Sequence, residues 1–207
     1  IMTGHLENSG FAPNVASHAE KIIDATIGLH KLVLDKFLPG AIKFMYIWNL
    51  RELSNIVRGL CRSEATAVVD MTTMVRLWGH ECDRVFSDRL INAEEGEKFR
   101  KLQVDIATKT FGEVCNVEEA LAPENCIFTT FYGSKDNFYN LIPEFDGLQT
   151  TLVGKLEEYN ENNTIMELVL FKEAIEHVCR ICRVIEYPGG NAMLIGVGGS
   201  GKQSLSR

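Results

Sequence analysis

The sequence lacks most of the features that would take it out of the ordinary globular class. No stretch approaches the roughly 18 consecutive apolar residues needed to span a bilayer, and the amino terminus has no charged-then-apolar secretory pattern. No membrane is therefore expected as a partner. Lysine and arginine number 21 against 28 aspartates and glutamates, for a net charge of -7, and they never form a block. Nucleic-acid surfaces need clustered cations, so nucleic acid is not expected either. The short acidic groups Glu94-Glu95 and Glu157-Glu158 read as solvated helix faces. Six cysteines without a secretory signal point to a reducing compartment. Cys179 and Cys182 form a CxxC, but no second CxxC accompanies it, and the pair lies within a helical pattern that makes it core filling. His80-Glu81 opens like a zinc-protease motif but continues Cys-Asp-Arg, so the second histidine one turn later is missing. No metal site is proposed. Neither an internal repeat nor a low-complexity segment is present.

What the chain does have is apolar content, 45% over 207 residues, enough for a sizeable core. Its spacing is helical. Val15 to Phe37 carries Ile22, Ile23, Ile27, Leu29 and Val33 at helical intervals and stops at Pro39-Gly40. An extended link, Ile42 to Trp48, leads to Asn49 with Glu52 three residues on, a capping box that starts a helix reaching about Cys61. A third helix is expected over Thr72–Leu90, and Asn92 with Glu95 repeats the cap signal for a fourth that Gly112 ends. Four short amphipathic helices with short connections make a helical subdomain over 1–112, stable through mutual packing.

From Glu113 to Asp146 prolines, glycines and aromatics replace the periodic pattern, with one short strand expected at Ile127–Tyr132. Helical spacing returns over Leu148–Tyr159. A further helix is expected from Thr164, with Glu167 as its cap partner. Leu168, Phe171, Ile175, Val178, Cys182 and Ile185 would then form one core-facing stripe along it. Pro188-Gly189-Gly190 ends it, and the run Ala192–Ile195 reads as a buried strand.

That strand precedes Gly196-Val197-Gly198-Gly199-Ser200-Gly201-Lys202-Gln203-Ser204. Gly196, Gly201 and Lys202 fit G-x-x-x-x-G-K, a loop whose backbone amides cradle phosphate while the lysine reaches the terminal phosphates. Glycine is required there because the turn needs close approach and φ values that side chains block. Gln203 stands where a serine or threonine hydroxyl normally ligates magnesium, with Ser204 next in line. Phosphate binding is therefore better supported than metal-assisted cleavage.

Three stretches, KFMYIWNLRELSNIVRGL from Lys43, LWGHECDRVFSDRL from Leu77 and LVLFKEAIEHVCRICRVIEYPGGNAMLIGVGGSGKQSLSR from Leu168, closely resemble the dynein heavy chain, whose motor is a ring of six AAA+ modules. The resemblance implies a mainly α fold. Residues 1–112 would be the helical lid of the third module, and 113–207 the first helices, first strand and phosphate loop of an incomplete α/β fourth module. Glutamine after the loop lysine is similar to axonemal dyneins, whereas Pro39-Gly40-Ala41 and Met45-Tyr46 depart from the family's usual Pro-Thr-Pro and His-Tyr. The parent would then be an ATP-driven, minus-end-directed microtubule motor of the cilium or flagellum. Its setting would be cytoplasm and axonemal cytoskeleton. ATP or ADP with Mg2+ would be its cofactors, and the rest of the ring, microtubules and the intermediate and light chains its partners. Arg51 would be a lid arginine contacting the γ-phosphate of the third module; Arg84 and Arg89 read as solvated charge or as contacts between modules. A segment ending at Arg207 lacks the acidic, sensor and arginine-finger elements of a hydrolytic site and is not expected to turn over ATP by itself. The alternative is a helical structural or interaction segment without nucleotide.

Overall fold

The computed structural model describes residues 1–122, 127–132 and 139–206. Three helices open the chain: α1 (Met2–Asn8), α2 (Pro13–Ala16) and α3 (Ala19–Lys36). In α3 the side chains of Ile22, Ala25, Thr26, Leu29 and Val33 recur every three or four residues and are all buried. The link that follows has no regular structure, and α4 (Leu50–Leu60) begins at the predicted cap. Asn49 Oδ1 accepts from the Arg51 amide at 2.8 Å, and the Asn49 amide donates to Glu52 Oε2 at 2.8 Å, so the capping box is formed.

Helix α5 (Met71–Val85), capped by Asp70 on the Thr73 amide at 2.7 Å, is buried on most of its circumference. It packs against α2, α4, α6 (Ala93–Phe111) and α7 (Val117–Ala120), while α3 lies on α6 and α4. Trp78, fully buried at its centre, donates its indole N–H to Thr26 Oγ1 at 3.0 Å and meets Phe111 edge-on. The helix ends at Val85, five residues short of the expected Leu90; a 3-10 turn, Ser87–Arg89, follows. Arg89 is pulled there onto Glu52 and the Ile47 carbonyl, contacts that a continuing helix would carry away.

Asn92 caps α6 as expected, accepting from the Glu95 amide at 2.9 Å. Its glutamate does not reach back. Glu95 is buried and binds Lys43 and the Tyr46 hydroxyl instead, so it is not the solvated face the sequence suggested.

The expected strand is two residues long, β1 (Phe128–Thr129), and pairs antiparallel with β2 (Asn140–Leu141), a partner that the sequence pattern did not reveal. Phe128 and Tyr139 join the first core, which runs from Met2 through α7. A second, smaller core gathers Ile142, Leu148, Leu170, Ile175 and Cys179 around α8 (Phe145–Asn162) and α9 (Lys172–Ile185).

Helix α9 begins at Lys172, not at Thr164. Asn160 exchanges two hydrogen bonds with the Met166 backbone, at 2.8 and 3.2 Å, and Gln149 donates to the Leu170 carbonyl at 2.8 Å. These side chains hold the irregular stretch 164–171 along α8, outcompeting the helix for its backbone groups. Glu167 is exposed there and caps nothing. Of the expected stripe only Ile175 is buried; Leu168, Val178 and Cys182 are half-buried and Phe171 and Ile185 exposed, and the buried cysteine of the CxxC is Cys179.

The run Ala192–Ile195 forms no ladder among the described residues, and Met193 and Ile195 are 81% and 83% exposed. A strand apolar on both faces is buried only between neighbouring strands and covering helices. The sheet described, β1–β2, lies elsewhere. The mainly α architecture stands, with a helical bundle leading into the glycine loop.

Candidate functional site

In the loop, Gly199 and Gly201 hold φ of +79° and +74°, the left-handed conformation that glycine adopts without steric cost. A Cβ on Gly196 would lie 2.7 Å from Ser200 Oγ, so a side chain there would have to displace that hydroxyl. Gly201 is the N-cap of α10 (Lys202–Leu205). The Lys202 ammonium folds back over the loop, donating to the carbonyls of Gly196 at 2.7 Å and Val197 at 2.6 Å and to Ser200 Oγ at 3.0 Å. Val197, Gly198, Gly199 and Ser200 are exposed. A cradle with two left-handed glycines, no Cβ at its base and an ammonium above it fits a phosphate group. The magnesium donors fit less well. Gln203 is exposed and Ser204 half-buried, so the loop offers an amide and a hydroxyl where a hard dication favours carboxylate or phosphate oxygens.

Arg51 stands exposed on the first turn of α4. Its amide serves the cap, and no hydrogen bond or ion pair links its side chain to the loop 196–204; the structure does not bring these two sets of predicted residues together. Arg89 is not solvated charge. It pairs with Glu52 at 2.9 Å, donates to the Ile47 carbonyl and lies over the Trp48 ring. Arg84 pairs with Asp88 at 3.1 Å, and Asp88 also takes Arg180 of α9 at 3.5 Å.

The densest chemistry lies where α9 meets the lid. Glu81 of α5 is fully buried. It accepts from Arg183 through both Nη2 and Nε, the latter at 3.3 Å, and from the Tyr139 hydroxyl at 2.7 Å. Gly59 of α4 makes the space: a Cβ there would fall 1.8 Å from Glu81 Oε2. Burial opposes the charge on Arg183, but the Glu81 carboxylate outweighs it and holds the guanidinium protonated above its usual range. Burial, then Glu81, pushes the Tyr139 phenol up. One turn on, Arg62 pairs with Glu186 at 2.8 Å, and Glu186 also accepts from Thr130. Tyr187 donates to the Asn55 carbonyl at 3.4 Å, and its ring meets the guanidiniums of Arg58, Arg62 and Arg183 at 5.2, 5.0 and 5.5 Å. A cavity of about 320 Å³ beside this joint is lined by Arg84, Arg89 and Arg183. Each of these faces its own carboxylate, Asp88, Glu52 and Glu81, so the wall is charge-balanced.

Sequence reasoning missed this joint. One signal was available: Glu81 falls in register with Met74, Trp78 and Val85 on the apolar side of α5, and a carboxylate at such a position requires a partner. The CxxC is no part of the joint's ionic chemistry. Burial pushes the Cys179 thiol up to about 12, away from reactivity.

Comparison with known proteins agrees with the two halves of this geometry. The AAA+ lid domain matches residues 22–122, and the P-loop containing dynein motor region D4 matches residues 166–207. The flagellar outer-arm dynein beta chain of Chlamydomonas reinhardtii is 46% identical over 212 aligned residues, the ciliary dynein beta chain of Tripneustes gratilla 45% and the human dynein axonemal heavy chain 9 39%. Each alignment takes in 100% of this chain and 5% of the relative's length. The lid-domain match, the D4 match and similarity to these proteins along the whole of this chain make it a stretch of an axonemal dynein heavy chain.

Proposed function

We propose that the segment supplies two working parts of an ATP-driven dynein ring: the lid of the third AAA+ module, over 1–112, and the opening of the fourth, over 113–207, with its phosphate loop. The observation that carries this reading is the loop itself. Gly199 and Gly201 are left-handed on either side of Ser200, and Lys202 sits over the Gly196 and Val197 carbonyls. A nucleotide would bring the phosphate negative charge that draws the Lys202 ammonium off those carbonyls. The residues Gly196 to Gly201 then present their backbone to the phosphates, and Lys202 neutralises them. Gln203 and Ser204 offer weak metal ligation, so the fourth site is assigned to binding ATP or ADP rather than to magnesium-driven cleavage. Arg51, exposed and without a carboxylate partner among the described residues, is free to meet an anion of the third module. In the whole protein the segment would then belong to the ring of an axonemal motor, in the cytoplasm and axonemal cytoskeleton, working on microtubules with the intermediate and light chains.

A second reading is favoured by Gln203, which removes the usual metal hydroxyl: a helical spacer in a ring whose fourth site holds no nucleotide. Titration of a longer chain, continuing through the fourth module, with a fluorescent ATP analogue separates the two. Saturable binding that Lys202→Ala weakens by about 10- to 100-fold, the worth of a charge-assisted contact, supports the phosphate site. A folded longer chain that binds nothing establishes the spacer.

A further inference from the structure

The last turn of α9 is held by the lid at every polar side chain it offers there. Arg183 goes to Glu81 of α5, Glu186 to Arg62, and Tyr187 to the Asn55 carbonyl and the guanidiniums of Arg58 and Arg62. The chain then turns sharply. The Gly190 amide donates to the Tyr187 carbonyl at 2.7 Å, and a Cβ on Gly190 would lie 1.8 Å from the Val184 carbonyl oxygen, so the turn is pressed against the helix end. Gly196, the base of the phosphate loop, follows six residues later. The last turn of α9 and the turn at Gly190 are therefore the nearest fixed point upstream of the loop.

We propose that Glu81, Arg183 and Gly59 are positioning residues through which the lid of one module sets the pose, and hence the nucleotide affinity, of the phosphate loop that follows. This rests on the reading that the loop holds nucleotide phosphate. A buried ion pair is a poor source of stability compared with an apolar contact, because desolvation of both ions offsets their attraction. What it supplies is direction. The guanidinium fork meets a carboxylate in one plane, and the buried Tyr139 hydroxyl and the gap at Gly59 confine that carboxylate to one place. An apolar pair would join the two elements without fixing the angle between them. A change of lid angle moves Glu81 with α5, and Arg183 carries the change into the chain that leads to Gly196.

The test uses the full heavy chain carrying Gly59→Ala, Arg183→Met, Arg183→Lys or Lys202→Ala. The affinity of a fluorescent ATP analogue is read together with hydrogen exchange of residues 191–206 with and without ADP. Gly59→Ala is the sharpest variant. It removes no charge, and since a Cβ there would fall 1.8 Å from Glu81 Oε2, a merely structural role predicts lost stability with Lys202-dependent binding unchanged. Here the methyl displaces the Glu81 carboxylate. Gly59→Ala and Arg183→Met are expected to weaken the Lys202-dependent part of binding by about 5- to 150-fold, the range of ordinary coupling between sites. Exchange at 191–206 rises in both, while α3 and α6 keep their rates. Arg183→Lys, which keeps the charge but loses the fork, falls between. If Arg183→Met does not fold, Gly59→Ala and Arg183→Lys carry the test. Lys202-dependent binding that all the joint variants leave intact overturns the inference and spares the phosphate site. Loss of no binding component in Lys202→Ala overturns the phosphate site, and the inference with it.

Discussion

From Met2 to Leu121 almost every helical turn delivers a side chain to one core, with Ile22, Leu29, Ile56, Trp78, Phe86 and Phe111 all fully buried. From Ile142 onward five buried residues form the second core, and Met193, Ile195 and Val197 are 79% to 83% exposed. The contrast separates rigidity from chemistry. The first region is dense enough to move as a body, whereas the second reaches fixed geometry chiefly by borrowing it from the lid through Glu81–Arg183 and Arg62–Glu186. The glycine loop for which phosphate binding is proposed lies in the sparse region, where an element that responds to a ligand is expected.

The contrast breaks if matched truncations cost the same on both sides. Trp78→Ala removes a buried indole, its contact with Phe111 and its hydrogen bond to Thr26, and is expected to lower stability by about 3–5 kcal/mol in urea unfolding. Ile195→Ser, on an exposed side chain, is expected to change it by less than about 0.5 kcal/mol. Equal costs would mean that the terminal run is packed.

A titration sharpens the contrast from the dense side. Asp83 lies at the contact of α5 with α6, accepting from Gln103 at 3.1 Å and facing Arg100 at 3.8 Å. Burial pushes its carboxyl up from 3.8 to about 6, against the pull of Arg84 and Arg100. The folded protein then holds this proton more tightly than the unfolded chain, so the contribution of Asp83 to stability falls as pH rises from 3.8 to about 6 and stays low above it. Asp83→Asn is expected to remove that fall, seen as a growing stability advantage of the variant across this window. An advantage independent of pH would show the carboxyl to be unperturbed.

A smaller loss than that of Trp78→Ala belongs to the capping box. Asn49→Ala should cost about 1 kcal/mol. Because α4 carries Asn55, Arg58 and Gly59 and leads into Arg62, the loss should also loosen the hold on Tyr187, visible as faster exchange at its amide. Unchanged exchange there would separate the helix start from the joint.

How much of this was legible follows from range. The helix starts at Asn49 and Asn92 were readable because a cap is a contract between residues two or three apart. The glycine loop was readable because its chemistry is contiguous. The late start of α9 was not, since the bonds from Asn160 and Gln149 that hold 164–171 out of the helix are side-chain choices invisible to apolar periodicity. Nor was the joint: Glu81 and Arg183 are 102 residues apart, and neither stands in a motif that asks for the other. Glu95 was misread for the same reason, its partners Lys43 and Tyr46 lying 52 and 49 residues away.

Those two bonds of Glu95 bear on how the chain would meet a protease. The link between α3 and α4 has no regular structure, yet the Trp48 indole donates to the Phe37 carbonyl at 2.8 Å and the Tyr46 hydroxyl accepts from the Ile91 amide at 2.9 Å while donating to Glu95. Cleavage requires a stretch of backbone to peel away and extend into the enzyme's cleft. Here that would draw Tyr46 and Trp48 out of the core, so although Phe44 and Ile47 stand exposed as attractive side chains, the irregular link should resist digestion like a helix. The first cut would fall in the exposed run before Lys202, leaving the bundle whole.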